Sequence, residues 1–380
     1  MHKCNNNEYN DVNEALSNGF NRNGWRSNTR AAVKFTHKKF SISPGINYQL
    51  LNIDNRFQKN PSIAQHFNYI LPSLQINIGS LNIGYNVNAR EPEVNDLQPV
   101  EDNTNPLYIS RGNPLLKPAV NHSLNIQTYK YDIKSNINYN LYIYSSISDN
   151  AIVRARIVDK SGIQYTTPVN ANGIWELQGG GGINKQFKFN KNWKLSLGSN
   201  VWGRYTRGLI ILNNTSTNAQ NTGLNPRVNI AFNWNDKFEF RQNYSLNWNK
   251  SSYADHAFPE LETTAHNSGS ELIIRMPRHW VWETSIDYRY NPQVAAGIQK
   301  NIYRWNAALN FLFLKDDKGQ LKLSAFDLLN QNTSVYRNVN ENYISDVETT
   351  VLKRYFMLTF TYNIRNFGGK VGGRERLFLF

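Results

Sequence analysis

Cysteine occurs once in the 380 residues, at Cys4, so no disulfide can form within the chain. Met1-His2-Lys3 ahead of it carries no apolar run, so neither a lipoprotein anchor at Cys4 nor a secretory leader is expected in these residues. Long hydrophobic runs are also missing. None approaches the roughly 18–20 apolar residues of a membrane-spanning helix, and the mean hydropathy is −0.59. The seven histidines, His2, His37, His66, His122, His256, His266 and His279, include no pair with a metal spacing such as H-E-x-x-H. Gly179–Gly182 is not followed by the Lys-Ser/Thr of a phosphate loop. The net charge of +14 invites a nucleic-acid reading, but Lys and Arg are spread over nearly every segment without a basic stripe or a recognised binding signature. No catalytic residue, no metal, no cofactor and no nucleic-acid partner is expected.

Aromatic residues are abundant, with 9 Trp, 21 Tyr and 19 Phe, and asparagine recurs inside stretches that otherwise favour strands. The two are interleaved with period 2. Val228, Ile230, Phe232 and Trp234 alternate with Arg227, Asn229, Ala231 and Asn233. Phe238, Phe240, Tyr244, Leu246 and Trp248 alternate with Glu239, Arg241, Asn243, Ser245 and Asn247, and only Gln242 interrupts the apolar phase. The same rule holds over 81–88, 136–143, 303–313 and 355–364. A soluble β-sandwich also alternates. Three features count against one: segments of roughly 9–12 residues that match a tilted membrane strand, an amide-rich polar phase suited to a wet interior, and aromatics gathered at segment ends. Phe187 and Trp193, Trp234 and Phe238, and Tyr290 and Tyr303 are such clusters, resembling interfacial girdles. The charge is then assigned to barrel interior and loops, with outer-membrane lipid and lipopolysaccharide as neighbours.

Short connections are expected near 37–39, 79–80, 130–132, 188–192, 235–237, 277–279 and 315–318. Long ones are expected over 54–66, 90–118, 148–173, 206–218, 252–263, 291–300 and 331–349. Short inner turns and long outer loops are the pattern of outer-membrane barrels. The resulting expectation is an all-β, antiparallel transmembrane barrel segment over 28–366 with about fifteen strands. Residues 1–27 are expected to be the remnant of an outer loop and 367–380 a C-terminal tail. An odd strand count and the missing leader together predict that earlier strands belong to the same barrel.

Arg90-Glu-Pro-Glu-Val-Asn-Asp-Leu-Gln-Pro99, Asn105-Pro-Leu-Tyr-Ile-Ser-Arg-Gly-Asn-Pro-Leu-Leu-Lys-Pro118, Lys322–Asn332 and Arg354–Gly369 resemble segments of the TonB-dependent receptors of Bacteroidota. More narrowly, they resemble the outer membrane protein β-barrel family, and the resemblance runs over essentially the whole chain. It implies a bacterial outer-membrane location and a barrel of roughly 22 strands. It also implies an N-terminal plug and energised uptake through TonB. This sequence carries no plug and no TonB-contacting segment, so TonB would be reached only through the missing part, and the chain would be inactive alone.

Candidate solute-binding residues are Arg227, Arg241, Arg289 and Arg304, in the polar phase. They either touch an anionic solute or plug acids, or form hydrated wall charge balanced by Glu239, Glu283 and Asp287. The Asp255-His256 pair resembles that of some outer-membrane proteases, but two exposed polar loop residues is the simpler reading. The glycine run is read as tight curvature or space for packed groups. Two other functions fit the pattern: a passive porin of about 14–16 strands, or a soluble all-β binding or adhesion module.

Overall fold

The computed structural model describes residues 2–5, 8–12, 19–58, 62–190, 192–254, 259–294, 297, 299–339 and 344–364. The expected tail 367–380 and the Asp255-His256 pair lie outside them. Among the described residues no helix is long and apolar enough to cross a membrane, which says nothing of strands.

The chain forms β1 (His2–Asn5), β2 (Glu8–Val12), β3 (Phe20–Ala32), β4 (Phe35–His37), β5 (Phe40–Phe57), β6 (Ile63–Ile78) and β7 (Leu81–Arg90). A short helix α1 (Val94–Leu97), β8 (Glu101–Asn105) and β9 (Tyr108–Arg111) follow. Then come β10 (Ala119–Asp132), β11 (Ile137–Asp149), β12 (Ala151–Val158), β13 (Gln164–Ala171), β14 (Ile174–Lys188), β15 (Trp193–Leu212) and β16 (Thr215–Trp234). The remainder is β17 (Phe238–Tyr253), β18 (Leu261–Ile274), β19 (Trp280–Tyr290), β20 (Asn301–Phe313), β21 (Gly319–Phe326), β22 (Ser334–Val339), β23 (Ile344–Thr349) and β24 (Tyr355–Tyr362). Among the described residues, twenty strands belong to one sheet, while β1–β2 and β22–β23 form separate two-stranded sheets. The excess over the expected fifteen has a simple origin. β4 continues β3 along the same partner, β5, and β8, β9, β12 and β13 are short strands inside two of the expected long loops.

Several boundaries differ from expectation. β3 begins at Phe20, inside the segment read as loop, and pairs with β5 from Phe20↔Phe57 to Ala32↔Gly45. The expected loop over 206–218 is instead the meeting of β15 and β16, joined only by Asn213-Asn214, both at positive φ (49° and 66°). Two consecutive left-handed residues fit a tight hairpin turn, and asparagine tolerates that conformation. The turn expected at 130–132 lies after Asp132, whose carboxylate accepts from Lys134 N (3.0 Å) and Ser135 Oγ (2.6 Å). That side chain caps the turn and so fixes where the strand ends.

The chain divides into two compact units, Met1–Gln186 with Leu197–Val228 and Ser245–Ala265, and Phe187–Ser196 with Asn229–Tyr244 and His266–Phe380. In the second unit β19, β20, β21 and β24 pair antiparallel in register, with Glu283↔Ala308↔Ser324↔Met357 in one row and Ile286↔Trp305 in another. Successive side chains on a strand point to opposite faces. One face here carries Glu283, Asn306, Asn310, Gln320 and Ser324, all buried, with Asn310 and Ser324 at 0 % exposure. The opposite face carries Trp282, Leu323, Leu358 and Phe360, of which Leu358 is 66 % and Phe360 62 % exposed. A water-soluble fold hides its large apolar residues. This sheet does the reverse, as a sheet facing hydrocarbon must.

Aromatic rings mark both ends of the apolar face. Near the short turns, Trp193 contacts Phe232 and Trp234, Phe232 contacts Phe238, and Trp280 contacts Phe311. Towards the other end, Tyr244 and Tyr290 both contact His266, and Tyr288 contacts Tyr303. β19 joins the two belts with 11 residues from Trp280 to Tyr290. At a rise of roughly 3.3 Å per residue this extends about 33 Å. Tilted by about 40°, it covers about 25 Å, the height of the apolar band of an outer-membrane barrel.

In the first unit β7, β10, β11 and β14 pair antiparallel, with Asn86↔Ser123↔Ser146↔Glu176 in one row. In the alternate phase Leu124, Leu141, Ile147 and Leu177 are exposed, whereas Val87 of β7 is buried. Gly180 fills a tight place in this sheet. A Cβ there would lie 2.4 Å from Val201 O and 2.9 Å from Trp202 Cε3. The rings of Tyr142 and Trp202 stack at 5.9 Å and 9°. The glycine run thus makes space for packed aromatics.

Candidate functional site

The polar face of the second unit is a set of ion pairs. Arg241 reaches Glu239 (3.2 Å) and Glu271 (3.0 Å), and Arg275 lies 2.6 Å from the other Glu239 oxygen. Arg304 pairs with Asp287, its cross-strand neighbour, at 2.8 Å. Lys322 Nζ lies 3.2 Å from Glu283 Oε2. Amides complete the wall: Gln320 Nε2 donates to Asn310 Oδ1 (2.7 Å), and Asn310 Nδ2 donates to the Val281 carbonyl (3.3 Å).

Of the four candidate arginines, Arg241 and Arg304 are therefore held by carboxylates. Arg289, on β19 two residues from Asp287, is exposed without an ion-pair partner among the described residues. Arg227 belongs to the first unit and is likewise exposed. Glu239 and Asp287 balance arginines as expected, whereas Glu283 takes a lysine. Sequence reasoning passed over Glu271 and Lys322, in the polar phase of β18 and β21, and Arg275, the residue that follows β18.

In the first unit sequence reasoning also missed three arginines of one β3 face: Arg22 and Arg26 lie in the segment read as loop, and Arg30 in the expected barrel segment. Arg22 and Arg26 both bind the carboxylate of Glu91, and Arg22 also donates to the Pro92 carbonyl at 3.2 Å. The third, Arg30, has no carboxylate partner among the described residues. The loop following Glu91 is fixed by its own motif. Asp96 pairs with Arg154 at 2.6 Å, Leu97 and Leu116 are fully buried, and Gln65 Nε2 donates to the Leu116 carbonyl (3.1 Å). At Gly112 a Cβ would lie 2.4 Å from Gln98 O, so only glycine fits. Asp327, in the other quoted segment, accepts from Gln331 N (2.9 Å) and Asn332 N (3.0 Å) and so caps the turn after β21.

Among the described residues no group of three or more His, Cys, Asp or Glu is placed to hold a metal ion. The arrangement offers a charged, amide-lined surface behind an apolar one.

The outer membrane protein beta-barrel family matches residues 2–240 and 210–362. The chain belongs to the outer membrane protein β-barrel family. Membership places it in the bacterial outer membrane, within a family of typically non-enzymatic transport proteins. No curated protein matches the sequence. Among solved structures, the chain is similar to BauA, the ferric preacinetobactin receptor from Acinetobacter baumannii. The identity is 10% and the TM-score 0.39, over 92% of this chain and 59% of that one. It is also similar to FpvA of P. aeruginosa, solved bound to heterologous pyoverdines, at 10% identity and TM-score 0.28, covering 89% and 58%. A third similar structure is OccK7 (OpdD) of Pseudomonas aeruginosa, at 10% identity and TM-score 0.23, covering 91% and 96%. The family member described here thus spans less than two thirds of the length of BauA and FpvA.

Proposed function

We propose that the chain is the C-terminal barrel wall of a TonB-dependent outer-membrane transporter, enclosing a water-filled path for a hydrophilic solute. The reading rests on one observation above all: amides and the Glu283 carboxylate are buried on one face of the second unit while large apolar side chains are exposed on the other. Such a wall conducts polar solutes past lipid without exposing an unpaired charge to hydrocarbon. The segments around Asn105–Pro118 and Lys322–Asn332, resembling those of TonB-dependent receptors of Bacteroidota, favour the energised transporter over the passive porin. In this reading the chain works with further strands of a barrel of roughly 22, with a plug, and with TonB through that plug.

The test uses the protein purified from the outer membrane of its own organism and inserted into planar bilayers. A plugged, TonB-dependent transporter shows no steady conductance. Steady single-channel conductance would instead establish the passive porin.

A further inference from the structure

The three arginines of β3 differ in what faces them. Arg22 and Arg26 share the Glu91 carboxylate, but no acid reaches Arg30 among the described residues. Arg30 stands opposite Asn47 on β5. It lines a cavity of about 280 Å³ together with Asn28, Asn47, Gln49, Ser73 and Asn86. A second cavity, of about 240 Å³, shares Arg30, Ser73 and Asn86 with the first and adds Gln75, Ser123 and Asn125. Amides and hydroxyls line both cavities, beside Leu71 and Val87 in the first and Leu74 in the second, and no Asp or Glu lines either.

Two glycines leave room for the side chains of this wall. A Cβ on Gly45 would lie 2.8 Å from Ser73 Oγ, and one on Gly84, which lines the second cavity, would lie 2.7 Å from Asn125 Oδ1. In the wall itself, Asn47 Oδ1 is a buried acceptor with no partner among the described residues. Buried polar atoms are normally satisfied. A buried, unpartnered acceptor with an exposed guanidinium opposite it suits a ligand that brings both a donor and an anionic oxygen.

We infer that this hollow of β3, β5, β6, β7 and β10 binds a hydroxyl-rich organic anion of the sugar-acid class, its carboxylate on Arg30 and its hydroxyls on the surrounding amides. The inference rests on the proposed function in one respect, that this face meets water. Arginine suits a carboxylate because its planar fork donates two parallel hydrogen bonds. Amides and serines suit hydroxyls, which donate and accept.

The experiment titrates the full chain, folded in detergent micelles, with D-glucuronate, D-glucose and inorganic phosphate by isothermal titration calorimetry. D-glucuronate is expected to bind saturably, and Arg30→Gln to weaken it by about tenfold or more, as for loss of a charge-assisted contact. Ser73→Ala, a milder change at the shared wall, is expected to weaken D-glucuronate and leave phosphate unchanged. Three results overturn the site: no D-glucuronate binding to folded chain, no effect of Arg30→Gln, or phosphate and D-glucuronate binding equally with Ser73→Ala silent. Arg30→Cys in a Cys4→Ser background separates this failure from failure of the transporter reading. Labelling by a charged maleimide without D-glucuronate binding sinks the site alone. Labelling only by a lipid-soluble reagent sinks both.

Discussion

Lys322 Nζ sits 3.2 Å from Glu283 Oε2, and the Glu283 side chain is only 1% exposed. The other carboxylate oxygen, Oε1, has no hydrogen-bond partner among the described residues. A buried carboxylate in this position depends on its cation. Removing one partner of a buried pair leaves an uncompensated charge, which costs more than the pair contributes. Lys322→Met is therefore expected to destabilise the folded barrel by about 3 kcal/mol or more, read as a lowered midpoint of heat-modifiable migration. Glu283→Gln added to Lys322→Met is expected to recover most of the loss. A single variant as stable as the parent contradicts the buried pair.

Gly180 lies under the stacked rings of Tyr142 and Trp202, with Val201 O only 2.4 Å from where a Cβ would stand. The nearest obstacle is backbone, which cannot swing aside. Gly180→Ala is expected to cost about 1–3 kcal/mol by overpacking, whereas Gly208→Ala, where a Cβ meets nothing within 4 Å, is expected to be near neutral. Equal thermal midpoints for the two variants would contradict this packing.

Asp159, in the loop between β12 and β13, accepts from Ser161 Oγ (2.7 Å), Ser161 N (2.8 Å) and Ile163 N (3.0 Å). The Ser161 hydroxyl above all, with the backbone donors, holds its carboxyl below the ordinary aspartate value of 3.8. A group with a depressed folded-state pKa stabilises the loop above its unfolded pKa, and that stabilisation is lost as pH falls through the folded pKa. Amide exchange at Ser161 and Ile163 is expected to accelerate below about pH 4 beyond its intrinsic pH trend. Asp159→Asn is expected to abolish that excess. An unchanged pH response in the variant would contradict the role given to the carboxylate.

The sequence reveals the strands where one face meets lipid and the other does not. Val281 to Tyr290 and Asn301 to Phe313 alternate because hydrocarbon demands apolar residues at every second position. Beyond the aromatic belts that demand ends. Phe20–Ser27 and Arg207–Leu212 belong to long strands, but without lipid to select for alternation they read as loop. The candidate site was legible to the same extent. Glu239 and Arg241 are two residues apart on one strand, so their pairing follows from the alternation. Arg241 with Glu271, Arg304 with Asp287, and Lys322 with Glu283 meet only through cross-strand register. Alternation fixes the face of a residue but not its neighbour on the next strand. Arg22 and Arg26 were lost with the start of β3, whereas Arg30 lies in the expected barrel segment, where alternation alone does not single it out.

The central claim is that the buried polar phase is the wet side and the exposed apolar phase the lipid side. Spin labels placed singly along β20, in a Cys4→Ser background and in lipid bilayers, test it by collision with dissolved oxygen and with a water-soluble nickel chelate. Positions Tyr303, Trp305, Ala307, Leu309 and Phe311 are predicted to favour oxygen, and Arg304, Asn306, Ala308 and Asn310 to exclude it, with a period of two residues. Oxygen accessibility in the opposite phase, or with no phase at all, would contradict the account.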